Sequence, residues 1–240
     1  MRVDLHPCYV LHTRPYRETS LLVDILSSDY GRLCLVAKGV KRAKNNKANL
    51  LQISKRISLA WSQRGTLGNL IEVEDLGDRV NLIGSKIISC FYMNELLMRM
   101  LHTNEPHPEI FDIYQQTLTN LTQNQDEQKT LRIFEKKILQ VLGYGLILDH
   151  DANTGEQIDA NNKYYYVAEF GPCMSKNNGL QSIQISGKAL KALDDENIWD
   201  NDIAKEAKRL LRMLLKIHVG DKPFGSRELY RAYLQNITAV

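Results

Sequence analysis

The chain has 240 residues, 43% of them hydrophobic and 25% charged, with a formal net charge of +3 at pH 7, a composition typical of a soluble globular protein of one large or two modest domains. No apolar run approaches the roughly 18–20 residues that span a bilayer, and Asp4 and Pro7 stand where a signal peptide would be apolar, so we expect neither a membrane protein nor an exported one. The four cysteines are far apart and form no C-x-x-C pair, which favours reduced thiols in the cytoplasm over a disulfide framework or a zinc ribbon.

The first 75 residues are predicted to form a small β structure. Alternating apolar and β-branched segments predict five short strands, at residues 7–13, 20–27, 32–37, 51–61 and 68–75. Pro15 predicts a turn over residues 14–18, because proline has no N–H to donate to a ladder. Five strands with polar turns fit a closed sheet or a sandwich, and a five-stranded barrel that binds nucleic acid across one face is one option.

Positive charge is concentrated within this β region. Residues 1–80 hold thirteen Lys or Arg against eight Asp or Glu, whereas residues 81–240 hold eighteen against twenty. Nine of the thirteen fall in residues 30–71, which contain no acid. Each phosphate that a basic side chain contacts releases a counterion and adds affinity, so a local excess favours a nucleic-acid surface. The candidate DNA-binding residues are Arg32, Lys38, Lys41, Arg42, Lys44, Lys47, Lys55 and Arg56.

A solvated loop with incidental charge is the alternative explanation of this basic window. Nine basic residues without one acidic residue make that explanation the weaker one. Stacking of single-stranded bases would also need aromatic side chains near the basic residues. Tyr9, Tyr16, Tyr30 and Trp61 are available, although core packing explains each of them at least as well.

From about residue 81 the pattern becomes helical. Apolar residues at helical spacing predict helices at residues 85–102, 109–121, 129–142, 186–193, 202–219 and 227–234. Residues 146–184 alternate poorly and are expected to be loops with at most a short hairpin. The sequence therefore predicts an α+β protein, with a β domain in residues 1–80 and a helical domain with an irregular insert in residues 81–240.

Two of the predicted helices, at 129–142 and 202–219, carry basic residues among apolar ones. An apolar groove with basic rims would suit an acidic peptide that ends in a hydrophobic residue. An amphipathic helix packed on a neighbour, with its Lys and Arg in water, is the better explanation for any single one of these residues. The candidate protein-binding residues are Arg132, Lys136, Leu139, Lys208 and Arg212.

No motif for enzymatic chemistry is present. The chain lacks a P-loop, a G-x-G-x-x-G after a strand, an H-E-x-x-H and a G-x-S-x-G, so we assign no catalytic residue, cofactor or metal. Glu72, Glu74 and Asp75 at a predicted strand end leave a metal-dependent nuclease formally open, but they suit the polar rim of a barrel. His150 lies between two aspartates without an obvious fourth ligand, which favours a surface loop over a metal site.

Short motifs follow one another along the chain in a specific order. They are Tyr30-Gly31-Arg32, Lys38-Gly39, Tyr92-Met93-Asn94-Glu95, Glu105-Pro106-His107-Pro108, Leu142-Gly143-Tyr144-Gly145, Thr154-Gly155, Ile185-Ser186-Gly187, Arg209-Leu210-Leu211-Arg212, His218-Val219-Gly220 and Ser226-Arg227-Glu228-Leu229. Each motif alone is weak, but the ordered set resembles the RecO family of bacterial DNA repair and recombination mediators over residues 7–234.

The resemblance implies an OB-fold in residues 1–80, followed by the α-helical domain. It implies a protein without enzymatic activity that binds single- and double-stranded DNA and anneals complementary strands. With the partner RecR, such a protein helps to load the RecA recombinase onto DNA coated by single-strand-binding protein (SSB). The acidic tail of SSB, which ends in a hydrophobic residue, would bind the basic-rimmed groove. We expect a monomer in the cytoplasm, at the nucleoid.

The insert departs from the pattern of this family. Many members hold a zinc ion with four cysteines there, whereas residues 146–184 offer only Cys173, with Asp151 and Asn153 where cysteines would be expected. The chain therefore resembles a zinc-free branch, and packing of the tyrosines at 164–166 and of Phe170 is expected to hold the insert together.

Besides the nuclease, a second alternative function stays open. The chain would be a protein adaptor, whose helical domain recruits partners while DNA contact is secondary. The slope of log K for DNA binding against log salt concentration separates an adaptor from a DNA-binding mediator, because an adaptor would show a nearly flat slope.

Overall fold

The structure is a computed structural model that describes residues 1–41, 47–77, 81–123, 125–175, 181–197 and 200–238. In chain order its elements are β1 (Arg2–Tyr16), β2 (Ser20–Ser27), β3 (Gly31–Ala37), α1 (Lys47–Leu50), β4 (Arg56–Arg64), β5 (Leu67–Asp75), α2 (Ser85–Met100), α3 (Pro108–Thr122), α4 (Glu127–Val141), β6 (Lys163–Val167), β7 (Gly171–Cys173), β8 (Ser182–Ser186), α5 (Gly187–Asp195), α6 (Asn201–Val219) and α7 (Gly225–Thr238). The chain divides into two compact units: Met1–Gln123 with Pro223–Val240, and Asn124–Lys222. None of the described helices has the length and apolar character that crossing a membrane requires.

The first five strands close into a barrel with the order β1-β2-β3-β5-β4. Neighbouring strands are antiparallel, except that β3 and β5 pair in parallel. A five-stranded Greek-key barrel of this order is the OB-fold, so the predicted barrel is confirmed and the sandwich is not formed. The inward residues of each strand form one apolar core, which includes Val10, Ile25, Leu35, Leu59 and the fully buried Trp61.

Several predicted strand boundaries are wrong: β1 begins at Arg2 instead of residue 7, and β4 ends at Arg64 instead of residue 61. The turn expected over residues 14–18 is shorter, because β1 continues through Pro15, which pairs with Leu21 of β2. Proline is tolerated there because β4 pairs with β1 only as far as Tyr9, so no second ladder needs the missing N–H. The strand expected from residue 51 begins only at residue 56, since α1 and Ser54 come first, and Ser54 has a left-handed φ of 66° that no extended strand accepts.

A buried polar network attaches α2 and α3 to the barrel. The Asn94 side chain on α2 donates to the Leu11 carbonyl of β1 at 2.9 Å and accepts from the Tyr114 hydroxyl of α3 at 2.7 Å. The Cys90 sulfur contacts the Ser54 hydroxyl and lies 3.9 Å from the Tyr114 hydroxyl. Burial raises the pKa of the Cys90 thiol to about 11, so it stays protonated and serves packing.

The connection between α2 and α3 packs against the end of β3. The Asn104 N–H donates to the Arg32 carbonyl at 2.9 Å, and Thr103 forms a parallel bridge with Arg32. Gly31 has φ 68°, and a Cβ built on it would lie 2.0 Å from the carbonyl oxygen of Glu105. Only glycine fits this close approach.

The second unit contains α4, α5, α6 and an antiparallel sheet of order β7-β6-β8. This sheet exceeds the short hairpin that we predicted for the insert. On the central strand β6, Tyr164 and Tyr166 are buried while the intervening Tyr165 is half-buried. Three identical residues in a row hide this alternation from a reading of the sequence.

Candidate nucleic-acid interface

The β1–β2 turn, the chain that follows β3 and the β4–β5 turn meet at one end of the barrel and enclose a cleft. The strand register explains the meeting, because Tyr16 pairs with Ser20, Leu21 with Ala37, and Val36 with Asn69. The cleft has a volume of about 710 Å³. It is lined by Tyr16, Arg17, Glu18, Thr19, Ser20, Val36, Lys38, Gly39, Leu67 and Asn69. We call this end of the barrel the cleft pole.

Two of the predicted DNA-binding residues lie at the cleft pole. Lys38 lines the cleft, and the Lys41 backbone N–H donates to the carbonyl of Thr19 at 3.1 Å, which places residue 41 beside the β1–β2 turn. Both lysines are exposed. Between them Gly39 has φ 68°, a conformation that lets the chain turn sharply after β3.

Arg17 is a third cation at this pole, and the prediction missed it. It stands in the β1–β2 turn, is exposed, and lines the cleft with Lys38. The charge window used for the prediction began at residue 30, thirteen positions later in the chain. Only the strand order brings residues 17 and 38 together, so a count of charges along the sequence gave no signal for it.

Three other predicted DNA-binding residues, Lys47, Lys55 and Arg56, do not line the cleft. Lys47 is exposed at the start of α1, and Arg42 and Lys44 fall outside the described residues. Lys55 and Arg56 are half-buried where β4 begins, and the Lys55 ammonium lies 2.6 Å from an Asp75 carboxylate oxygen at the end of β5. Arg56 lies at the end of β4 that is remote from the cleft pole, whereas Arg64 lies at the near end. The eight residue steps between them, at about 3.3 Å each, separate Arg56 from the pole by roughly 26 Å.

Arg32 is bound within the first unit. Its guanidinium donates to the carbonyl of Met98 at 2.7 Å, close to the C-terminal end of α2, and the residue is half-buried. A cation there interacts favourably with the free carbonyls of the helix end. The geometry therefore gives Arg32 a role in attaching α2 to the barrel. The candidate phosphate contacts that the structure places at the cleft pole are Arg17, Lys38 and Lys41.

The candidate protein-binding residues divide into buried and exposed ones. On α4, Arg132 is 6% exposed and lies 2.7 Å from a Glu135 carboxylate oxygen, and Leu139 is buried. The buried Lys136 ammonium donates to the carbonyl of Asp194 at 2.7 Å and to the Glu196 carboxylate at 3.2 Å. On α6, Lys208 and Arg212 are exposed.

Arg132 differs from Lys136 in that one of its hydrogen-bond donors has no partner within the described ranges. Its Nε is buried and finds no hydrogen-bond partner among the described residues. Arg212 makes no hydrogen bond or ion pair within the described part of the chain. The exposed Arg212 therefore keeps accessible donors for an acidic ligand, whereas Arg132 is buried against Glu135 and Lys136 is already bound to two acceptors.

The acidic residues considered for metal chemistry are dispersed. Within the described ranges, no three His, Cys, Asp or Glu side chains come together as a metal-binding group. Glu72 and Glu74 are exposed on β5, and Asp75 pairs with Lys55. The His150 ring lies 2.7 Å from the Asp149 carboxylate, a hydrogen bond that lowers the pKa of this exposed aspartate.

Asp151 is buried in the insert and binds backbone instead of metal. One carboxylate oxygen accepts from the N–H groups of Asn153 at 2.8 Å and Thr154 at 3.1 Å, and the other accepts from Met174 at 2.9 Å. The carboxylate thus joins the turn that follows residue 151 to the chain just after β7. Phe170, which we expected to help pack the insert, is 41% exposed.

Comparison with known proteins covers nearly the whole chain. Residues 1–78 match the family model "Recombination protein O N terminal" and residues 84–228 match "Recombination protein O C terminal". Similar curated proteins, each named DNA repair protein RecO, include that of Nitrosococcus oceani, 44% identical over 95% of this chain and 93% of the relative. Those of Nitrosospira multiformis and Pseudoalteromonas atlantica are 37% and 40% identical over 98% and 93% of this chain, and 97% and 92% of the relatives.

Proposed function

The chain belongs to the RecO family of DNA repair proteins, and on that premise we propose that it binds single- and double-stranded DNA and anneals complementary strands. Acting with RecR, it helps to load RecA onto DNA coated by SSB. No covalent step is needed, because annealing requires only that two polyanions be brought together. The protein does this work in the cytoplasm, at the nucleoid, as a monomer.

The observation that carries DNA binding is the cationic cleft pole of an OB-fold. OB-folds bind oligonucleotides with the face of strands 2 and 3 and with the loops after strands 1 and 4. Here the loop after β1 carries Arg17, the chain after β3 carries Lys38 and Lys41, and Leu67 at the start of β5 completes the cleft. Phosphate contacts of this kind hold DNA without reading its sequence, which suits a protein that anneals any two complementary strands.

A variant with Lys38→Glu and Lys41→Glu tests this assignment. Each lost phosphate contact reduces the magnitude of the slope of log K against log salt by about 0.7–0.9. We expect at least a tenfold loss of affinity for a labelled oligonucleotide at low salt, measured by fluorescence anisotropy, and a slope shallower by about 1.5. Lys188→Glu with Lys191→Glu makes the same charge change on exposed residues of α5 and serves as the control.

Unchanged affinity in the Lys38 and Lys41 variant, or an equal loss in the control, would contradict DNA binding at the cleft pole. A nearly flat salt slope in the unmodified protein would instead favour the adaptor function. These two outcomes separate a wrong site from a wrong function.

SSB recognition is proposed for the second unit. The acidic tail would place its carboxylates against Arg132 and Arg212 and its terminal hydrophobic residue near Leu139, with Lys208 at the rim. The support is chemical: guanidinium groups bind carboxylates well, and the exposed Arg212 keeps its donors free within the described residues.

A further inference from the structure

The cleft pole holds an aromatic ring as well as cations. Tyr16 lines the cleft with the apolar side chains of Val36 and Leu67, and Arg17 and Lys38 stand at the same opening. We infer that this cleft takes an unpaired nucleobase stacked on Tyr16, with the neighbouring phosphates on Arg17 and Lys38. The inference rests on the proposed DNA binding and adds to it a preference of this site for single strands.

Tyr16 is the one of the four candidate aromatic residues that borders the cleft. Tyr9 is 3% exposed and its ring centroid lies 5.2 Å from that of Phe111. Trp61 is fully buried in the barrel core, and the ring of Tyr30 packs edge-on against it at 5.1 Å. Packing accounts for those three rings, whereas the half-buried Tyr16 faces a space of about 710 Å³.

The Arg17 guanidinium lies over one face of the Tyr16 ring, so a base would stack on the other face or take the place of the guanidinium. The guanidinium carbon lies 5.2 Å from the ring centroid, within the range of a cation–π contact. Arg17 also has φ 52°, in the left-handed region that costs a residue with a Cβ free energy. Such costs persist where the surrounding structure imposes them, here the pairing of Tyr16 with Ser20 across a three-residue turn. The turn thus presents a cation next to the stacking surface.

The dimensions and polarity of the cleft fit a base better than a duplex. Its volume falls within the range of small-molecule sites, and a base inside a duplex is already stacked on both faces and cannot enter. Every base has a π face, so stacking on Tyr16 tolerates any sequence. Glu18 and Asn69 line the same cleft and offer hydrogen-bond partners for a base edge, while the Glu18 carboxylate disfavours an acidic peptide as the occupant.

Tyr16→Ala tests the inference, with Tyr16→Phe as the matched variant that keeps the ring. A stacked base contributes an amount of binding that corresponds to about 5- to 150-fold in affinity. We expect Tyr16→Ala to weaken binding of a single-stranded oligonucleotide by a factor in that range and duplex binding by less than about twofold. Tyr16→Phe should bind both as the unmodified protein does. The readout is anisotropy of labelled strands, with 2-aminopurine quenching as a direct signal of stacking.

An abasic oligonucleotide makes the test independent of folding. If Tyr16 stacks on a base, the unmodified protein and Tyr16→Ala bind the abasic strand equally. Equal losses for single strands and duplex, or no loss for either, would overturn the inference. It would also be overturned if Tyr16→Ala released a bound acidic peptide and left strand binding unchanged. If Lys38→Glu with Lys41→Glu abolishes DNA binding while Tyr16→Ala changes nothing, only the base site is wrong; if neither affects DNA binding, the proposed function of the cleft pole fails too.

Discussion

At the scale of single residues, Asp151 shows how one carboxylate can hold an insert together. It accepts three backbone N–H groups from two stretches of chain that are about twenty residues apart in sequence. A buried N–H without a partner costs about 1–3 kcal/mol. The Asp151 side chain therefore links two parts of the insert. The family resemblance implies a metal ligand at this position in other members.

Replacing Asp151 with Asn should destabilise the second unit. An amide keeps one acceptor oxygen but turns a donor toward one of the N–H groups, so we expect a loss of about 1–3 kcal/mol in the free energy of unfolding, measured by urea titration. Asp149→Asn is the control, because Asp149 is exposed and its carboxylate bonds to the neighbouring His150. Equal stability of the two variants would show that Asp151 contributes nothing beyond surface charge.

The sequence could predict which residues are exposed cations only where local charge decides it. Lys38 and Lys41 lie in an acid-free window and both are exposed beside the cleft, while their contact with DNA stays a prediction. The same window included Lys55, which pairs with Asp75, and Arg32, which binds a helix end. Partners that come from distant parts of the chain leave no trace in the local pattern, so neither contact was predictable.

At the scale of elements, α7 packs against α2, far from it in the chain. The Glu95 carboxylate of α2 accepts from the backbone N–H groups of Gly225 at 3.1 Å and Ser226 at 3.2 Å, and also from the Ser226 hydroxyl. Arg99 donates to the same carboxylate at 2.6 Å. The sequence predicted a last helix from residue 227, but α7 begins at Gly225, and the group that accepts its first N–H bonds is the Glu95 carboxylate.

These contacts make the stability of the first unit depend on pH. Burial acts to raise the pKa of Glu95, but the hydrogen bonds from Ser226 and Gly225 and the charge of Arg99 together lower it. A carboxyl whose pKa is lower in the folded protein than in the unfolded chain stabilises the fold above its ordinary pKa. That contribution is lost as the pH falls through the folded value.

Glu95→Gln should therefore destabilise the first unit at pH 7 but not in acid. We expect a loss of about 1–2 kcal/mol at pH 7 from the weakened charge-assisted hydrogen bonds, and a difference from the unmodified protein that shrinks below about pH 4. Thermal unfolding across this pH range measures it, with Asp112→Asn, exposed on α3, as the control. A difference that does not change with pH would contradict the assignment.

Elements were predictable where apolar residues alternate or repeat clearly. All five barrel strands were found, because their inward positions are mostly Val, Ile and Leu. The three-stranded sheet of the insert was not, since its central strand consists largely of tyrosine and one neighbour is only Gly171–Cys173. The boundary near residue 80 between a β domain and a helical domain stays a prediction; by compactness, α2, α3 and α7 group with the barrel.

At the scale of the whole molecule, the two proposed functions reside in different units. DNA is assigned to the cleft pole of the first unit, and the SSB tail to α4 and α6 of the second. Substitutions in one should therefore leave the other intact. Arg212 is the better probe of the second, because Arg132 is buried in an ion pair with Glu135 and breaking a buried pair costs about 3–5 kcal/mol of stability.

Titration with a peptide of the SSB tail tests this separation. Lys38→Glu with Lys41→Glu should bind the peptide as the unmodified protein does, whereas Arg212→Ala should bind it about tenfold more weakly, as expected for a lost charge-assisted hydrogen bond. Lys205→Ala, on the exposed side of the same helix and paired with Asp202, is the control. Parallel losses of DNA and peptide binding in every variant would mean that the two ligands share one site.

The return of α7 to the first unit has a consequence during synthesis. Residues 124–222 must be translated between the two parts of that unit, which takes about 5–20 s at bacterial rates of elongation. Over that interval the Tyr92 ring lacks its neighbour Phe224 and the Glu95 carboxylate lacks the N–H groups of Gly225 and Ser226. We therefore expect a nascent chain to expose this face of α2 on the ribosome until the last segment emerges, and to be open to chaperone binding whenever elongation pauses.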